Sequence, residues 1–89
     1  MKHLNIKIYG FVQGVSFRYF VEQKANELGI KGFVRNEPDG TVHIEAESTE
    51  GTLRKFVELC KKGPMFAKVE ETEISESSSK GFVSFEVMA

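Results

Sequence analysis

The sequence contains no tryptophan, one cysteine and two prolines in 89 residues, and no apolar run approaches the ~20 residues a bilayer-spanning helix needs. Each scarcity excludes something. A lone Cys60 rules out an internal disulfide and any cysteine-rich zinc centre, and a reducing cytoplasmic location follows as the expectation. Without an apolar run near Met1, neither a leader peptide nor a membrane partner is expected. At this length the chain is read as one domain over residues 1–89, because two halves would each be too small to bury a core unaided. What is present supports a globular fold: 40% hydrophobic residues, 28% charged residues and eight phenylalanines.

Net charge is −1, but it is unevenly spread. From Met1 to Asn36, six bases face two acids, giving +4; in the remainder, six bases face eleven acids, giving −5. This asymmetry favours a small anionic ligand near the basic half, while the acidic half opposes a long polyanion such as nucleic acid.

Periodicity orders the elements. Leu4, Ile6 and Ile8 alternate with polar positions as in a strand with one buried face. From Phe17 the period lengthens, placing Phe17, Phe20, Val21, Ala25 and Leu28 on one helical face, with Ser16 as the expected N-cap and Gly29 as the stop. A strand over Lys31 to Arg35 leads into the turn Glu37-Pro38-Asp39-Gly40, and a third strand carries Val42, Ile44 and Ala46. Leu53, Phe56, Val57 and Cys60 define a second helix, which ends at Lys61-Lys62-Gly63-Pro64. A polar strand over Lys68 to Ile74, a serine-rich loop over Ser75 to Lys80 and a last strand over Phe82 to Val87 follow. The order β-α-β-β-α-β with an extra C-terminal strand predicts an α+β, ferredoxin-like fold: an antiparallel sheet with two helices on one face.

The chemistry-bearing segment is Gly10 to Arg18, GFVQGVSFR. A strand that passes through a glycine-bearing loop into a helix leaves backbone N–H groups unpaired beside the positive end of the helix dipole, which suits an anion. Gly10 and Gly14 would let the loop curl. Arg18, in the first helical turn, opposes that dipole, and a bound anion would resolve the conflict. On spacing alone, an ordinary connection with a surface arginine is the simpler reading, and Asn36 alone reads as a turn residue.

Three blocks break the tie. GFVQGVSFR is similar to the phosphate-loop signature G-x-V-Q-G-V-x-F-R of the acylphosphatase family. Residues Gly32 to Val42, GFVRNEPDGTV, resemble the family block G-F-V-x-N-x-x-D-G-x-V, and GPMFAKV from Gly63 resembles GPxxAxV. The chain departs at Ser48, where the family usually has glycine, and Phe11 occupies a variable position often held by a polar or basic residue. The resemblance implies a cofactor-free hydrolase that cleaves acyl phosphates to a carboxylate and inorganic phosphate, and the chain is expected to act as a monomer. In that reading Gln13, Gly14, Val15, Ser16, Phe17 and Arg18 bind the phosphoryl group and Asn36 orients the attacking water. Phe11 would then face the acyl group and favour apolar substrates. Such a reaction needs mainly positioning and charge stabilisation, since a carboxylate departs without a general acid. The alternative is a non-catalytic module that binds phosphate or acyl phosphate without turning it over.

Other residues fit structural roles. Cys60 belongs to a helix's apolar face. His43 alternates with the buried set of its strand, His3 lies beside a terminus, and neither has the companions of a metal site. Glu70, Glu71, Glu73 and Glu76 read as a charged, edge-protecting strand. Lys80 to Phe85 partly matches an RNA-binding strand signature but fails at Val83 and Ser84.

Overall fold

A computed structural model describes residues 1–89. The elements are β1 (Lys2–Phe11), α1 (Phe17–Glu27), β2 (Lys31–Asn36), β3 (Val42–Ser48), α2 (Glu50–Lys62), β4 (Lys68–Ser77) and β5 (Phe85–Met88). The sheet order is β4-β1-β3-β2-β5. Ile6 lies opposite Ile44, and Ile44 opposite Val34, so the alternating apolar residues of three strands stack on one face. Both helices pack there. Phe17, Val21 and Ala25 of α1 join Leu53, Phe56, Val57 and Cys60 of α2 in a single sixteen-residue core. Burial pushes the Cys60 thiol up, as suits a structural side chain. No helix is long and apolar enough to cross a membrane.

The sheet is mixed rather than wholly antiparallel, because β5 runs parallel to β2. The cause is the return of the chain across the sheet. The far end of β4 pairs Ser77 with His3, and β5 begins by pairing Phe85 with Gly32, on the opposite edge but at the same end. A strand that re-enters there must run alongside β2. The crossing segment is held by Glu47, whose buried carboxylate accepts hydrogen bonds from the backbone N–H groups of Lys80, Gly81 (3.2 Å) and Phe82 (3.1 Å). Those N–H groups are therefore lost to the ladder, and β5 starts at Phe85 instead of Phe82. β4 runs on to Ser77 because Ser75 to Ser77 pair with Asn5 to His3.

His3 is not a loose terminal residue. It is 1% exposed, with Nδ1 at 2.7 Å from Glu47 and Nε2 at 2.9 Å from Glu45. Lys80 Nζ reaches Glu45 at 3.0 Å, and the Phe82 ring stacks on His3. This polar cluster covers part of the sheet face opposite the helices.

Candidate active site

The loop between β1 and α1 is shaped by two left-handed residues. Gly14 has φ 74° and Ser16 φ 63°, and Ser16 is the only non-glycine residue with positive φ. Alternation of left-handed with ordinary backbone turns successive N–H groups toward one point. None of the N–H groups from Gln13 to Arg18 donates to another backbone carbonyl. Six donors in sequence are thus free, beside the positive end of α1, whose first turn carries no acidic residue. Ser16 differs from its expected role: its side chain makes no capping bond, and its strained backbone does the shaping.

Gly10 also differs from expectation. It lies within β1, at the register shift where β4 crosses, and a Cβ there would overlap the Lys68 carbonyl oxygen. It permits strand approach, and the loop's curl rests on Gly14 and Ser16.

Gln13 joins the two sequence blocks. Its Nε2 donates to the Glu37 carbonyl at 2.8 Å and the Thr41 carbonyl at 2.9 Å, stapling the loop to the β2–β3 turn. The turn is itself braced by Asp39, which accepts from the Thr41 hydroxyl (2.6 Å) and N–H (3.0 Å) and from Lys7 (3.2 Å). The Thr41 hydroxyl and N–H, with Lys7, hold the Asp39 carboxyl down at about 2. Asn36, the last residue of β2, is thereby brought to the loop.

One cavity of about 240 Å³ collects these groups. Gly14, Ser16 and Arg18 line it together with Asn36, over a floor of Val12 and Phe17. Phe17 is 2% exposed and belongs to the core, so it anchors the cradle through packing while its N–H makes no backbone hydrogen bond. Val15 packs at the edge of that core. Arg18 donates Nη1 to the Met88 carbonyl at 2.7 Å, a contact that leaves most of its donors available. Asn36 Oδ1 is the one buried side-chain polar atom without a hydrogen-bond partner. A buried acceptor left unpaired, on a residue that lines a cavity beside free donors, calls for a partner with a hydrogen to give.

Larger hollows lie elsewhere, one of about 510 Å³ between α2 and the β1–β4 edge and one of about 600 Å³ along β2 and β5. Neither touches the loop. Unpaired loop donors and the orphan acceptor of Asn36, not size, single out the smaller cavity.

Two features escaped the sequence reading. Phe11 is exposed on the strand end beside Lys68 and does not line the cavity, whereas Tyr19 does. The only signal for Tyr19 was an aromatic residue lying off the apolar stripe of α1.

Comparison with known proteins agrees across sequence and fold. The Acylphosphatase family model matches residues 4–87. The chain is 49% identical over 84 residues to the acylphosphatase of Archaeoglobus fulgidus, covering 94% of each chain. It is 44% identical over 87 residues to that of Thermotoga maritima, covering 98% of this chain and 97% of the relative. The fold matches the crystal structure of the acylphosphatase from Bacillus subtilis with a TM-score of 0.98 at 41% identity, over 100% of both chains.

Proposed function

The chain belongs to the acylphosphatase family and is an enzyme that hydrolyses the carboxyl–phosphate bond of acyl phosphates, and we propose that Arg18, the backbone of residues 13–18 and Asn36 perform that hydrolysis. The phosphoryl oxygens accept from the free N–H groups and from the Arg18 guanidinium, so the charge they carry in the transition state meets donors already in place. A water donates one hydrogen to Asn36 Oδ1, which turns an oxygen lone pair toward phosphorus. As the water oxygen bonds to phosphorus, the bond to the acyl oxygen breaks and the electron pair leaves with the carboxylate. The water's proton passes to a phosphoryl oxygen of the substrate. No general acid is required, because a carboxylate is stable as it departs.

The observation that carries this reading is that Asn36, whose Oδ1 is buried and unpartnered, is one of the residues lining the same cavity as the cradle. The test is phosphate release from acetyl phosphate in EDTA. Arg18→Ala and Asn36→Ala are each expected to lower turnover by ~10²- to 10³-fold while far-ultraviolet circular dichroism is unchanged. Full activity in both variants refutes the assignment; binding without turnover in the unmodified chain identifies a binding module instead.

The enzyme is proposed to act as a cytoplasmic monomer on small acyl phosphates. One chain supplies the whole core, and Glu70, Glu71, Glu73 and Glu76 oppose pairing along the exposed β4 edge.

A further inference from the structure

We infer that Tyr19 is the wall against which the acyl group of the substrate packs, and that it biases the enzyme toward acyl phosphates with flat, aromatic or extended apolar acyl groups. The inference rests on the reading above, in which the cradle and Arg18 take the phosphoryl end. With that end held by the N–H groups and Asn36 on the water's path, the acyl group must leave through the open side of the cavity. Val12 and Phe17, the cavity's other large apolar side chains, are 1% and 2% exposed and form its floor. Tyr19 is 62% exposed and lines the same cavity, so it is the apolar surface available at the mouth.

Its position in the helix explains the reach. Tyr19 lies in the first turn of α1, and side chains on a helix lean toward its N-terminus, which here is the Gly14 to Ser16 bend. A ring placed there stacks on a planar acyl group in the geometry aromatic pairs favour, and such a pair is worth roughly a 2- to 12-fold preference. Acetyl, with a single methyl, offers little for the ring to cover. Other exposed aromatics, Phe11 and Phe66, do not line the cavity.

The experiment compares kcat/KM for benzoyl phosphate and acetyl phosphate in the unmodified enzyme, Tyr19→Ala, Tyr19→Phe and Phe11→Ala. Tyr19→Ala is expected to lower the benzoyl-to-acetyl ratio by about 2- to 12-fold, chiefly through KM for benzoyl phosphate, and Tyr19→Phe to restore it. An unchanged ratio in Tyr19→Ala, or a ratio that moves in Phe11→Ala instead, overturns the inference. Calorimetric titration with benzoylphosphonate, which cannot be hydrolysed, against inorganic phosphate reads the same wall without turnover. Tyr19→Ala should weaken the former more than the latter, and equal weakening refutes the wall. Lack of acetyl phosphate turnover in the unmodified enzyme refutes the hydrolytic reading alone.

Discussion

Replacing Glu47 with glutamine keeps the side chain's shape and removes its charge from the middle of the His3 cluster. The carboxylate is 1% exposed and accepts from His3 Nδ1 and from the N–H groups of Lys80, Gly81 and Phe82. Burial alone would raise the Glu47 carboxyl. The Lys80 N–H, the His3 ring and the Phe82 N–H outweigh it and hold the carboxyl at about 2, against an ordinary 4.5. At about 1.4 kcal/mol for each tenfold change, a gap of roughly 2.5 corresponds to about 3 kcal/mol. A carboxyl that holds its proton less tightly when folded stabilises the fold in its ionised form. The contribution is therefore complete above pH 4.5, declines as pH falls and vanishes below about 2.

Glu47→Gln should thus cost about 3 kcal/mol at pH 7, in keeping with the ~3–5 kcal/mol lost when one member of a buried pair is removed. For a domain this small, that is a fall of roughly 12–24 °C in Tm. Calorimetric melts of both proteins from pH 2.5 to 7 provide the measurement. The difference should shrink toward the acid end. A loss under about 1 kcal/mol at pH 7, or one independent of pH, would show that the carboxylate does not hold the crossing segment as described.

Gln13→Ala removes two hydrogen bonds between the loop and the β2–β3 turn. It should cost about 2 kcal/mol in urea denaturation and lower acetyl phosphate turnover by roughly 10- to 100-fold, because the cradle and Asn36 lose their common reference. Gln13→Glu, which cannot donate, should behave alike. Ser16→Gly relieves a left-handed residue at the expense of a freer unfolded chain, and the net gain should be about 0.5–1 kcal/mol in the urea midpoint. Ser16→Val should lose at least about 1 kcal/mol, since a branched side chain tolerates that backbone poorly; equal stabilities would refute the strain at this position.

The element order was legible because the period of apolar residues is a local property. Leu4-Ile6-Ile8 and Leu53-Phe56-Val57-Cys60 each report the face their own backbone geometry buries. The Gly10 to Arg18 and Gly32 to Val42 blocks likewise held, before any contact was known, the residues proposed here for the site. The misplaced elements have partners remote in sequence. β5 begins late because Phe82 donates to Glu47, and Ser75 to Ser77 are a strand because β1 lies alongside. His3 read as terminal until the fold enclosed it between two carboxylates from β3.

By itself, then, the sequence determined the α+β class and the composition of the core, which depend on neighbours a few residues apart, and through its family resemblance it pointed to the loop proposed to hold the anion. Tertiary structure alone decided the direction of β5, the burial of His3, the staple from Gln13 to the turn, and the choice of Tyr19 over Phe11 at the cavity mouth. The first three depend on which distant donors and acceptors the folded chain brings within about 3 Å, a distance that hydrogen bonds require and that sequence spacing does not encode, and the last on which side chain the folded loop leaves beside the cavity.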